Sequence, residues 1–113
     1  MKLAAVLVIA QQVFGPVPCG TPVVERAKFA DPGTLAGADA ATCRIYLNRR
    51  WASQMPPAMR CTLVLHEYGH LAGRPHSDNP ASVMYADYVK DDRRCLSRAP
   101  RGGGTSGSGP SSP

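Results

Sequence analysis

No apolar run in this sequence is long enough to cross a bilayer as a helix. The longest, Leu3 to Ala10, falls well short of the ~20 residues that a span requires, so no membrane span is expected. The cysteines never form a Cys-x-x-Cys pair, which removes the four-thiolate zinc knuckle from consideration. Acidic residues are outnumbered, 8 Asp and Glu against 13 Lys and Arg, leaving a formal net charge of +5. Aromatics are also scarce, and Arg44, Arg49, Arg50, Arg60, Arg74, Arg93, Arg94 and Arg98 are scattered rather than interleaved with them. With no recognition helix and no basic-aromatic patch, the charge reads as a solvated surface, and no nucleic-acid partner is expected. Internal repeats are also missing.

What is present starts with four cysteines, Cys19, Cys43, Cys61 and Cys95, even in number and widely spaced. Residues 1–99 are expected to form one domain, near the size at which a small core benefits from a staple. Residues 100–113 are Gly, Ser, Pro and Thr with a single Arg and read as a disordered tail. Two disulfides are the reading adopted for the cysteines, and three pairings are open. Cys19 with Cys43 and Cys61 with Cys95 is preferred, since the first would join two strand-like segments and the second would join two helices. Four free buried thiols in a reducing cytoplasm are the alternative. The disulfide reading places the chain in a secreted or extracytoplasmic setting.

The N-terminus has two readings. Lys2 followed by Leu3 to Ala10 has the form of a minimal signal peptide. Equally, Leu3 to Phe14 forms a buried first helix ended by Gly15 and Pro16. Thr21 to Phe29, rich in Val and closed by Asp31-Pro32-Gly33, suits a strand. Thr34 to Ala38 and Thr42 to Asn48 read as a hairpin, because Cys43, Ile45 and Leu47 alternate with Arg44, Tyr46 and Asn48. Trp51 to Pro57 is a connector. A central helix is expected from about Ala58 to Ala72, opened by Pro57 and ended by Gly73 and Pro75. A last short helix is expected from Tyr88 to Leu96, capped by Asp87.

The central helix carries the chemistry. His66-Glu67-Tyr68-Gly69-His70 sets two imidazoles four residues apart on one helix face, so both reach one metal ion. Catalytic zinc takes three protein ligands and keeps one position for water. The break at Gly73 lets the chain turn back, and His76 supplies the third ligand. Glu67 is rotated by about 100° from His66 around the helix. There it can take a proton from the zinc-bound water and later deliver it to the leaving amine. A lone His-Glu-x-x-His is only moderately specific. The added Gly73 and His76 make it sharp.

The run HEYGHLAGRPHS resembles the HExxHxxGxxH signature of the metzincin clan of zinc metallopeptidases, and Ser77 directly after His76 is similar to its matrixin branch. Ser82-Val83-Met84-Tyr85, with Met84 eight residues after His76, is similar to the Met-turn that floors the metal site in that clan. The resemblance implies an α+β, zincin-like fold, with a small twisted sheet over an active-site helix and a C-terminal helix after the Met-turn. It also implies that Leu35, Ala36, Gly37 and Ala38 lie on the edge strand that pairs with an extended substrate. Several positions depart from the matrixin pattern. Ala86 stands where matrixins carry Pro, Pro75 replaces an Asp-like residue, and a first strand and room for structural calcium and zinc loops are missing. Tyr85 and Tyr88 flank Ala86, the place at which the astacin branch carries an assisting Tyr. Pro18-Cys19-Gly20-Thr21-Pro22 is similar to the matrixin cysteine switch, but lacks its Arg and Asp, and a disulfide or core role for Cys19 is preferred.

The function expected is that of a monomeric zinc metalloendopeptidase acting on a peptide or protein substrate, with one catalytic Zn2+. A catalytically silent, zinc-stabilised binding module of the same fold is the alternative.

Overall fold

The structure is a computed structural model that describes residues 2–96; the tail expected from residue 100 onward lies outside the described residues. Helix α1, Leu3–Phe14, has the bounds read from the sequence and buries Val6 and Ala10. It lies against the central helix. Tyr68 of that helix donates its hydroxyl to the Gly15 carbonyl at 2.8 Å, and Phe14 stacks on the Tyr68 ring with centroids 6.2 Å apart.

Three strands follow. β1 (Val23–Ala27), β2 (Ala36–Asp39) and β3 (Arg44–Asn48) form a sheet in the order β1-β3-β2. β2 and β3 make the expected antiparallel hairpin, with Ala38 opposite Ile45. β1 joins the other side of β3 in parallel, Val24 opposite Ile45. β3 is therefore central, and its alternation is the one legible in the sequence: Ile45 and Leu47 are buried while Arg44 and Tyr46 are partly exposed. Burying each such aliphatic side chain contributes about 1.5–3 kcal/mol. The hairpin turn contains Cys43 at φ 56, a left-handed residue, beside Asp39, whose carboxylate accepts from the Ala41 amide at 3.0 Å.

One helical turn, α2 (Arg49–Ala52), follows β3 directly and takes in the first two residues of the stretch read as a connector from Trp51. Asn48 ends β3 and caps this turn, its side-chain oxygen accepting from the Arg50 amide at 3.0 Å. The central helix, α3 (Pro57–Leu71), opens with Pro57 in its first turn, as expected. It crosses under the sheet and fills the core with Leu63, Val64, Leu65 and Tyr68.

Both disulfides are those preferred from the sequence, Cys19–Cys43 and Cys61–Cys95, each with Cα atoms 5.6 Å apart. The first ties the turn before β1 to the start of β3. The second ties α3 to the end of the described chain.

The helix expected from Tyr88 to Leu96 is reduced to a 3₁₀ turn, Arg93–Cys95. Asp92, not Asp87, supplies its cap by accepting from the Arg94 amide at 2.9 Å. The Asp92 amide is itself held by Thr62 Oγ1 of α3 at 2.8 Å, and the residues from Asp87 to Asp91 form neither helix nor strand.

Candidate metal site and cleft

Two histidines project from the last two turns of α3, and Gly73 brings the third back. Ala72 and Gly73 close the helix, Gly73 at φ 87, where a residue with a Cβ is strained. The turn also returns the Arg74 carbonyl to the site, where it meets His70 Nδ1 at 2.9 Å. His66 Nδ1 meets the Val83 carbonyl at 2.7 Å. A carbonyl only accepts, so each of these Nδ1 atoms carries a proton and each neutral ring leaves Nε2 bare.

The two Nε2 atoms face each other 3.1 Å apart. Two lone pairs at that distance cannot bond to one another; a cation between them satisfies both. Zinc bound tetrahedrally at about 2.0–2.1 Å spaces its ligand nitrogens a little over 3 Å apart, so the pair fits that ion. His76 completes the set. Its ring centroid lies 5.3 Å from that of His66 and 4.7 Å from that of His70, and one ligand atom from each of the three lies within 4.8 Å of the others. Burial, the largest influence, lowers the His66 pKa; the Val83 bond opposes this, and the charges of His70 and His76 reinforce it. Burial likewise lowers that of His70. Both shifts favour the neutral, ligating form.

The segment after His76 is tied back against α3. Ser77 donates its amide to the Met84 carbonyl at 2.9 Å, and Ser82 Oγ accepts from the Met84 amide at 3.1 Å. Met84 is 5 % exposed and lies directly against Gly69, between the two helix histidines in sequence. The Met-turn expected from the sequence thus has a physical reason for its methionine: an unbranched, flexible side chain fits the gap over a glycine.

Glu67 is buried on α3 and opens onto a cleft of about 330 Å³ that also receives His66. Burial alone pushes its carboxyl up to about 7. One wall of the cleft holds Leu35 and Ala36, leading into β2, whose outer edge pairs with no other strand among the described residues. Gly37 and Ala38 continue that strand beyond the cleft lining, with Gly37 against the Phe29 ring. The opposite wall is the segment Tyr85 to Lys90. Tyr88 donates its hydroxyl to Asp91, and burial followed by this partner pushes its pKa up to about 12. Tyr85 forms a bridge with Ser77 through its backbone.

Sequence reasoning missed two residues that shape the rim. Asn48, 2 % exposed, donates its side-chain amide to the Thr34 carbonyl at 2.7 Å, and its backbone amide reaches the Leu35 carbonyl at 2.9 Å. Trp51 Nε1 donates to the Pro32 carbonyl at 2.7 Å. Together they fix the approach to β2. The signal for Asn48 was available, since Asn directly before a short polar-aromatic run is a capping residue.

The scattered arginines are used singly. Arg44 pairs with Glu25 at 3.1 Å and Arg94 with Asp92 at 2.8 Å, while Arg50 and Arg74 lie over the rings of Trp51 and Phe14. Cys19 is engaged by Cys43 and is not a metal ligand.

A search of curated proteins and of solved structures gives no match. The Matrixin family model matches residues 29–99, which include the histidine triad, Glu67, the edge strand and the Met-turn. That stretch is more than half of the chain, and this protein therefore belongs to the matrixin family of zinc metallopeptidase-like folds.

Proposed function

We propose that this chain is a zinc-dependent endopeptidase in which His66, His70 and His76 hold the ion and Glu67 is the general base and acid. The observation that carries this reading is the pair of bare, opposed Nε2 atoms beside a buried carboxyl at the head of an open cleft. When bound, zinc would supply Lewis-acid activation of a water and polarise the scissile carbonyl. Glu67 would take the proton of the attacking water and hand it to the departing amine, roles open to a buried carboxyl at the edge of the cleft. Leu35, Ala36, Gly37 and Ala38 would pair with an extended peptide through the open edge of β2, and the Tyr85 to Lys90 wall would take its side chains. Two disulfides favour a secreted or extracytoplasmic site of action.

Zinc-loaded protein should cleave casein or a peptide library, and Glu67→Ala should keep its zinc while losing about 10²–10⁴-fold in turnover. Equal behaviour of the two proteins would end the enzyme reading. The second reading, a zinc-stabilised binding module, is favoured by the three-stranded sheet, which is small for a substrate-binding platform. It predicts full zinc occupancy, no turnover, and loss of the fold on chelation.

A further inference from the structure

One polar side chain in the core has no part in the chemistry above. Thr62 is 7 % exposed and sits on α3 one turn before His66. Its hydroxyl donates to the Ala58 carbonyl at 2.8 Å, in the manner of helical threonines. That proton being committed, the oxygen lone pairs face outward, and they accept the Asp92 amide at 2.8 Å. The side chain also forms part of the boundary shared by the catalytic cleft and an adjoining hollow that runs on towards Arg93 and Arg94.

The segment that Thr62 holds is the cleft wall. From Ala86 to Lys90 the chain is exposed and lacks helix and strand. Among the described residues its amides and carbonyls make no backbone hydrogen bonds. It is fixed at one end by Met84 and Tyr85, bonded to Ser77 and Ser82, and at the other by Asp92 on Thr62 and Cys95 on Cys61. Between those anchors it carries Tyr88, Val89 and Lys90 into the cleft lining. Both far anchors lie on adjacent residues of α3, the helix that also holds His66 and Glu67.

From this geometry we propose that Thr62 is a positioning residue for substrate: its hydroxyl sets the distance between the Tyr85 to Lys90 wall and the helix that bears the metal ligands. The proposal rests on the peptidase reading for its kinetic consequence, but not for its structural one. Cys61–Cys95 limits how far the wall can swing; Thr62 fixes where it stands. A hydroxyl serves better here than an aliphatic group of equal shape, because a valine would leave the Asp92 amide without its acceptor.

The structural test needs neither activity nor a variant. In hydrogen exchange on the intact, disulfide-bonded protein, the Asp92 amide should be protected while those of Asp87 to Lys90 exchange quickly. An Asp92 amide as fast as its neighbours would overturn the proposal. The kinetic test compares Thr62→Val with Thr62→Ser, each checked for bound zinc. Thr62→Val should raise KM for peptides by about three- to tenfold with kcat little changed, and Thr62→Ser should restore it. Peptides shortened from the end that lies along the wall should lose this sensitivity, whereas those shortened from the other end should keep it. A fall in kcat alone, or equal effects on every peptide, would assign Thr62 a merely structural role. Should no peptide be cleaved by wild-type protein, the peptidase reading fails, and the exchange pattern still decides the anchor.

Discussion

Gly69 and Met84 compete for one space. A Cβ built on Gly69 would run into the Met84 sulfur and come within 3.0 Å of the Phe14 ring, so a side chain at this helical position requires its neighbours to shift. In an open helix Gly→Ala stabilises by up to about 1 kcal/mol. Here the buried Met84 and the partly buried Phe14 must move, and overpacking costs about 1–3 kcal/mol. Gly69→Ala should therefore lower stability by about 1–2 kcal/mol and weaken zinc binding, because the Met84 segment also holds His66 through Val83 and the residue after His76 through Ser77. Thermal unfolding and chelator competition measure both effects. Adding Met84→Ala should make the pair less damaging than the sum of the single changes; strict additivity would show that the two side chains do not meet.

That contact illustrates what could and could not be read from the residues. Spacing placed His66, His70 and His76 at one site, the resemblance to the Met-turn added Met84, and Pro57 and Gly73 bounded α3, because caps and helical periodicity are local. The reason for Gly69 was hidden. It depends on a methionine 15 positions further along and on Phe14 from another helix. The parallel pairing of β1 with β3 is likewise non-local: it brings Val24 beside Ile45 with no turn signal between them. Asn48 was read as the end of a strand and proved to be a cap as well, since one residue served both elements. The terminal helix failed for a related reason. Thr62, 30 residues away, offered the Asp92 amide a partner that a helix from Tyr88 would have taken away.

Gly73 tests the turn that delivers the third histidine. Its φ of 87° lies in the left-handed region, so Gly73→Ala should cost about 1 kcal/mol through backbone strain, there being open space for the methyl group itself. The turn also aims the Arg74 carbonyl at His70 Nδ1. Loss of such a ligand-orienting bond lowers metal affinity by about 10–100-fold. Zinc affinity should thus fall more steeply than thermal stability, and parallel losses would argue against a link between the turn and the ligand.

The disulfides close loops with sequence separations of 24 and 34 residues. Loop-closure entropy assigns each about 3–4 kcal/mol, a large share of the stability of so small a domain. Cys19→Ala with Cys43→Ala should lower the midpoint of denaturant unfolding without altering the His66–His70 pair. Removing Cys61 and Cys95 should lower it comparably and in addition speed proteolytic nicking between Ala86 and Lys90. Equal nicking in both variants would mean that Cys61–Cys95 is no tether for the wall.

Asp92 supplies a pH dependence in the acid range. Its carboxylate accepts from Arg94 Nε and Nη2, each at 2.8 Å, and from the Arg94 amide at 2.9 Å. The Arg94 side-chain bond is the largest influence on its pKa, which lies below the ordinary 3.8 despite the opposing effect of burial. A carboxyl whose folded pKa is depressed gives up fewer protons when unfolded than when folded. The stability it adds is accordingly complete above the unfolded pKa and is lost as pH falls through the lower, folded one. Arg94 is about half exposed, which screens the pair, so the contribution is about 1 kcal/mol, cap included. Asp92→Asn keeps an acceptor for the Arg94 amide but loses the charge. Its melting temperature should lie below that of the wild type at neutral pH, and the two curves should converge as acid titrates the wild-type carboxylate. A gap that persisted into strong acid would place the loss in the cap rather than in the charge.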